Sequence, residues 1–411
     1  MEKKLKYNCL KPLKQAGSPV VIVAAVLEAE AIVNACRNNG IVVSAICDSV
    51  KKKSPDLFCG LEVIHTPTLP ERFSKARFIF AAQAIQDTVE QLSVLGYDEF
   101  YSALELLENF DVGKHQYLTT SQSYMEARIL VYKKGHTAYF DEEKTYMRSV
   151  DVMVTTRCSM KCESCANLMQ YYDDPKNTDH ENILAAIDII KDNVDDIGEF
   201  RVIGGEPLMN KEWAHIVNGI NEKNPDRQIF IYTNGTIAPK DEQLETFHGK
   251  NVNFLITDYG KLSRNINKLT EKLTKHGISY VSNPVPDWVD CSSIRHHKRT
   301  VSELKEVFKE CCVKYIYTLL NGRLYRCPFI ANAANLNAIP DNPANYVDLF
   351  SKTHNVKQKI QNLVKTTNFF PACDFCDGRP YDPSNAKGYD GKGMITSAIQ
   401  TPKVLPYKVY K

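Results

Sequence analysis

At 411 residues the chain is too long for one ordinary domain, so two or three units are expected. With 43% apolar and 24% charged residues and a net charge of +2, nothing favours nucleic acid or a membrane surface as partner. The longest apolar stretch, residues 19–27, is too short to span a bilayer, and the basic start lacks the apolar run of a secretory signal, so a cytoplasmic protein is expected. Thirteen cysteines in that compartment point to metal binding or catalysis rather than disulfides.

Residues 17–108 read as a small parallel α/β unit. The β-branched run 19–25 predicts a buried strand, 28–39 a helix closed by Gly40, and 41–48 a second strand ending in Asp48. Gly60 turns the chain into another strand, and 77–82 is a later one, followed by a helix to Leu95 and Gly96. Strand, helix, strand with short links means a parallel sheet. The pattern resembles the Rossmann-like domain that precedes many sugar acyltransferases, which would place a nucleotide or nucleotide sugar near Asp48. Ala24-Ala25-Val26-Leu27-Glu28 offers no glycine where backbone would approach a phosphate, so a purely structural domain stands beside that reading.

Residues 109–148 are polar and irregular. Tyr117, Tyr124, Tyr132, Tyr139 and Tyr146 are expected to pack this linker across the next domain.

From 149 to 300, strands at 150–155, 200–203, 228–232, 252–257 and 278–281 alternate with helices at 180–194, 211–221 and 263–276. In repeated βα units ligands gather at the carboxyl ends of the strands. Behind the first strand stand Cys158, Cys162 and Cys165, spaced C-x3-C-x2-C. Three thiolates on one short loop can hold three irons of a [4Fe–4S] cube and leave the fourth without a protein ligand. Arg157 and Lys161 flank them, either offsetting thiolate charge or simply solvated. Gly204-Gly205-Glu206-Pro207 ends the second strand, Asn234-Gly235 the third, and Asp258 the fourth.

The cysteine group followed by the GGE-P segment resembles the radical S-adenosylmethionine (SAM) superfamily. The resemblance implies a partial (β/α)6 barrel, with SAM chelating the open iron by its amine and carboxylate. It implies that Gly204 and Gly205 let backbone approach the SAM methionine, that Glu206 anchors its ammonium group, and that Asn234 faces SAM. Asp258 would touch SAM or substrate, or else cap the next helix. Ser164 stands where the family often has an aromatic residue. Reductive cleavage of SAM would need an electron donor such as flavodoxin or ferredoxin.

Residues 301–411 form a loop-rich third unit. Cys312 is followed after nine residues by Gly322 and after four more by Cys327, and Cys373-x2-Cys376 closes the set. Four such cysteines suit a structural zinc or one [4Fe–4S] cluster, and the adjacent Cys311 could replace Cys312. The C-x9-G-x4-C piece resembles the start of the SPASM domain, here in its shortened twitch form. The cysteine order resembles that of the radical SAM dehydrogenase of butirosin biosynthesis, which oxidises a cyclitol alcohol. The resemblance implies a second, auxiliary [4Fe–4S] cluster, either an electron acceptor or a structural element. The tail 400–407, with two prolines, is expected to lie extended on the surface.

Between the two cysteine sets, residues 286–297 follow the fifth core strand and so could lie over the barrel mouth. Asp290, Arg295 and His296 are candidates for binding hydroxyls or deprotonating a substrate radical. Cys291, apart from both sets, is either a hydrogen-atom donor to the substrate or an ordinary thiol. The expectation is an α/β protein of three parts: a Rossmann-like domain, a radical SAM barrel and a twitch-type iron–sulfur domain. Its expected activity is hydrogen abstraction from a carbohydrate, sugar nucleotide or cyclitol, giving dehydrogenation or epimerisation. Peptide modification is the enzymatic alternative, and a cluster-bearing binding or regulatory protein is the non-enzymatic one.

Overall fold

The β-branched runs become parallel strands because side chains on both faces of such strands are buried. A computed structural model describes residues 4–15, 17–49, 56–351, 355–366, 368–384, 386–401 and 404–410. The chain divides into two units, Met1–Glu143 and Lys144–Lys411.

In the first unit, seven strands form one sheet: β1 (Leu5–Lys6), β2 (Val20–Val23), β3 (Val43–Asp48), β4 (Leu57–Phe58), β5 (Leu61–His65), β6 (Arg77–Phe80) and β7 (Phe100–Ser102). Their order is β1-β7-β6-β2-β3-β5-β4, and all pair in parallel except β4 with β5. The chain turns back at β2, where a ligand crevice would open beyond the strand ends. There the Asp48 carboxylate accepts the Ala25 N–H at 2.8 Å. Two buried carboxylates stand in the first turn of the helix Leu27–Asn38. Glu28 pairs with Arg128 at 2.8 Å, and Glu30 accepts the Leu118 N–H at 3.1 Å. Negative charge at this helix end disfavours a phosphate there.

The segment 109–148 differs from the irregular linker expected of it. Gln122–Tyr139 is an 18-residue helix whose Ser121 cap accepts the Tyr124 N–H at 3.3 Å. Tyr124, Met125, Ala127, Ile129, Val131, Tyr132 and His136 are all buried. Burial on several sides with polar aromatics leaves no clean apolar stripe to read.

The second unit carries β8 (Tyr146–Met153), β9 (Asp196–Ile203), β10 (Gln228–Thr233), β11 (Val252–Asp258), β12 (Ser279–Pro284), β13 (Trp288–Val289), β14 (Ile316–Leu320), β15 (Arg323–Tyr325), β16 (Tyr346–Asp348) and β17 (Met394–Ile395). Its eight-stranded sheet has the order β12-β11-β10-β9-β8-β14-β15-β16. The first six strands of that order are parallel neighbours, which makes the partial barrel. The sixth, β14, lies beyond residue 300, so the segment 301–411 completes this sheet instead of standing apart from it.

Register separates the two faces. Val150 pairs with Phe200 and Val152 with Val202, and these pack under the helices through Ile187, Ile190, Ile216 and Val217. Asp151 pairs with Arg201 and Ser149 with Glu199, so the opposite face is a row of polar groups in which Ser149, Asp151 and Glu199 are buried. The Asp151 carboxylate and Arg201 guanidinium meet at 2.5 Å. Among the described residues no helix is long and apolar enough to cross a membrane.

Candidate active site and metal centres

The loop behind β8 is held by the strand end of β9. Gly205 N–H donates to the Thr155 carbonyl at 3.0 Å and Glu206 N–H to the Arg157 carbonyl at 2.8 Å. A Cβ on Gly204 would collide with the Thr155 carbonyl, and one on Gly205 with the Arg157 carbonyl and the Cys158 side chain. The glycines are therefore required by the close packing of the cysteine loop itself.

Glu206 is fully buried. Its carboxylate accepts the Thr233 hydroxyl and the Asn234 N–H, each at 2.8 Å, and the Leu208 N–H at 3.2 Å. Burial raises its pKa to about 7 against those donors. These bonds lock the ends of β9 and β10 together. Asn234 turns toward the cysteines: its Nδ2 lies 3.1 Å from the Ser159 hydroxyl and 3.9 Å from Cys158 Sγ. Asp258 accepts the Gly260 N–H at 2.8 Å, two residues before the 3-10 turn Gly260–Leu262 begins.

Cys158, Cys162 and Cys165 share this loop, which is turned by a positive φ of 53° at Ser164. Burial pushes the Cys158 thiol up to about 12 and the Cys162 thiol to about 11. Thiols held neutral by burial ionise when a metal takes them. Ser164 donates its hydroxyl to Asp290. Tyr259, to which the sequence assigned no role, packs with Cys158 and Cys165 against the cluster of Met160, Cys162 and Ala398 and meets Trp288 edge-to-face at 6.1 Å.

The second set forms around a β-hairpin. Leu320 pairs with Arg323 across Asn321 and Gly322, both at positive φ, 49° and 73°. Two such residues make the tight turn that returns the chain. That return brings Cys327 back beside Cys311. Cys311, Cys327, Cys373 and Cys376 line a small, largely apolar cavity of about 30 Å³, with Phe308 and Phe370 in its wall. Cys312 is not on that wall; its N–H donates to the Arg379 carbonyl at 2.8 Å. Cys311 is in extended backbone, where neighbouring side chains point to opposite sides. Of the two adjacent cysteines, Cys311 is the one that faces the cavity.

The cavity suits a four-cysteine cluster. Phe370 N–H points at Cys373 Sγ and Gly378 N–H at Cys376 Sγ, both at 3.4 Å, as cluster thiolates require. Arg379 Nη1 is buried on the same wall with no hydrogen-bond partner, and the negative charge of a thiolate-bound cluster would satisfy it. Among the described residues no three Cys, His, Asp or Glu side chains converge as a single-ion site.

The segment 290–297 links the two sets. The Asp290 carboxylate also accepts the Lys392 N–H at 3.1 Å, and its carbonyl accepts the Tyr389 hydroxyl at 2.7 Å. Cys291 is 4% exposed, and burial raises its thiol to about 11. It sits with Cys312 and Arg379, beside the second set. The Arg295 side chain is 57% exposed and faces Asp377 at 3.6 Å, so it does not join the cysteines. His296 is half-exposed and meets Asp374 at 2.8 Å.

Residues 152–326 match the family model of the radical SAM superfamily. The chain carries a radical SAM domain. GTP 3',8-cyclase of Campylobacter jejuni subsp. doylei is 31% identical over 100 residues, 23% of this chain and 29% of that protein. The molybdenum cofactor biosynthesis protein moc-5 of Caenorhabditis elegans is 26% identical over 132 residues, 30% of this chain and 21% of its own length. The chain thus spans less than a third of these curated relatives. Among solved structures, BtrN in complex with AdoMet and 2-DOIA aligns at 15% identity and a TM-score of 0.39, covering 56% of this chain and 92% of that one. SuiB of Streptococcus suis bound to S-adenosylmethionine aligns at 10% identity and 0.29, covering 54% and 68%. The radical SAM domain takes in the cysteine loop, the glycine strand end and the hairpin up to Arg326.

Proposed function

We propose that this chain is a cytoplasmic radical SAM enzyme that removes a hydrogen atom from a hydroxyl-bearing carbon of a carbohydrate, sugar nucleotide or cyclitol, giving dehydrogenation or epimerisation. The reading rests most on one meeting of motifs: the Gly205 backbone lies against Arg157 and Cys158, so the two sequence signatures form one strand-end site. Cys158, Cys162 and Cys165 would hold a [4Fe–4S] cluster, whose chemistry when bound would be one-electron reductive cleavage of SAM to generate a 5′-deoxyadenosyl radical.

The remaining work falls to this chain's own residues. Glu206 holds the ends of β9 and β10 in place, and Asn234 presents an amide to the cysteine loop. Tyr259 and Trp288 supply aromatic surface beside it and help exclude water. Cys311, Cys327, Cys373 and Cys376 would hold an auxiliary cluster, with Arg379 balancing its charge. An external donor of the flavodoxin or ferredoxin type would reduce the first centre.

A purine nucleotide is the second reading, favoured by the relatives named as GTP 3',8-cyclases. The test is mass spectrometry of anaerobic, iron-reconstituted reactions with SAM, reductant and a panel of nucleotide sugars, cyclitols and GTP, in H2O and D2O. Sugar-dependent 5′-deoxyadenosine with loss of two hydrogens is expected for a dehydrogenase, and one deuterium gained without oxidation for an epimerase. Stimulation by GTP alone would replace the sugar assignment, and stimulation by none would move peptides to the front.

A further inference from the structure

The end of the described chain returns to the first cysteine loop. β17 pairs antiparallel with β13, Met394 opposite Val289 and Ile395 opposite Trp288. A few residues on, the backbone runs beside residues 161–163. Glu163 N–H donates to the Ile399 carbonyl at 2.7 Å and Thr401 N–H to the Lys161 carbonyl at 3.0 Å. Between them Cys162 and Gln400 form an antiparallel bridge. Ala398, 8% exposed, packs with Met160 and Cys162 in a small apolar cluster. The expected surface tail is, over these residues, a strap; residues 402 and 403 lie outside the described residues.

Gln400 is the strap's point of attachment. Its Oε1 accepts the Lys161 N–H at 2.7 Å, and its Nε2 donates to the Ala398 carbonyl at 2.9 Å and to Cys162 Sγ at 3.2 Å. Both ends of the amide are engaged, so one N–H is held on the sulfur. A hydrogen bond to a thiolate ligand stabilises the more negative, reduced state of a cluster and raises its potential. Loop geometry and electronic effect thus meet in one side chain, 238 residues from the cysteine it touches.

We propose that Gln400 is a positioning residue for the SAM-site cluster: its amide fixes the cysteine loop through Lys161 and raises the cluster's reduction potential through the N–H···S bond to Cys162. The inference rests on the reading that Cys158, Cys162 and Cys165 hold that cluster.

The test uses the full-length chain, anaerobically reconstituted, with the midpoint potential read from the electron paramagnetic resonance signal that changes when SAM is added. Gln400→Met removes all three side-chain bonds. Gln400→Glu keeps the acceptor for Lys161 and loses the donor to sulfur. Both should lower the potential, so that the ratio of reduced to oxidised cluster at a fixed applied potential falls about tenfold, equivalent to about 59 mV for one electron. In the cluster-free chain, Gln400→Met should also raise iodoacetamide labelling of Cys162, read by peptide mapping. A potential unchanged in both variants overturns the proposal, whatever the labelling does. The underlying reading fails separately, if a chain with Cys158, Cys162 and Cys165 all changed to Ala keeps the SAM-sensitive signal.

Discussion

Ser164 donates its hydroxyl to the carboxylate of Asp290, 126 residues away. The bond joins the first cysteine loop to the segment that leads to the second set. It also explains why a small polar residue suits a position with φ of 53°, where a bulky side chain would be strained. Asp290 carries three further ties to Tyr389, Lys392 and Gly393, so it holds loops together.

Loss of the Asp290 carboxylate should therefore cost stability. Asp290→Ala should destabilise the second unit by about 2 kcal/mol, the usual scale for a hydrogen bond to a charged group. Both tryptophans, Trp213 and Trp288, lie in that unit, so their fluorescence in a urea titration reads it directly. Unchanged stability with turnover lost would return Asp290 to a chemical role.

Gly205→Ala places a methyl group against the Arg157 carbonyl. A displaced cysteine loop is the expected result, with about 1–3 kcal/mol of destabilisation and reduced iron uptake. Urea titration with iron analysis checks both. Normal iron content at unchanged stability would mean that the loop can yield.

The adjacent cysteines should part company. Cys311→Ala should cut iron per reconstituted chain to about half, because one of two four-iron centres is lost, while Cys312→Ala should leave it unchanged. Iron and sulfide analysis with Mössbauer spectra decides the matter. The reverse pattern would restore Cys312 as ligand.

Cys291→Ala addresses the outcome of the reaction. A thiol that returns a hydrogen atom to substrate would, once removed, leave uncoupled 5′-deoxyadenosine or an oxidised sugar in place of an epimer. Mass spectrometry of products in D2O reads this. Unchanged turnover and product would make Cys291 a packing residue beside Arg379.

His136 sets a pH dependence in the first unit. Its Nδ1 meets the Ser102 hydroxyl at 2.9 Å and its Nε2 the Ala82 carbonyl at 3.2 Å, and burial lowers its pKa from 6.5 to about 3. The folded unit keeps it neutral while the unfolded chain protonates, so its stabilising effect is full above pH 6.5 and is lost as pH falls toward 3. The slope is about 1.4 kcal/mol per pH unit in that window. Hydrogen exchange of the Gln122–Tyr139 amides between pH 4 and 7, after correction for intrinsic rates, should show it, and His136→Gln should flatten it.

Much of the fold was legible because the signals are local. The β-branched run Val20–Val23 is buried on both faces and reads as a parallel strand from composition alone. The helix Gln122–Tyr139 escaped because its buried residues include tyrosines, His136 and Ala127 spread around its circumference, which hides the period. Gln400 left no local signal at all.

The sequence by itself determined which cysteines share a loop, that a glycine strand end follows them, and that Gly322 and Cys327 follow Cys312 at a fixed spacing. Those are matters of spacing, and spacing survives in one dimension. Only the tertiary structure decided that Cys311 rather than Cys312 lines the second cavity, since neighbours on extended backbone face opposite sides. Only it set Asp290 against Ser164 and Gln400 against Cys162. Such pairs depend on where distant segments come to rest, and that is settled by burial of the whole core, which no single stretch of sequence records.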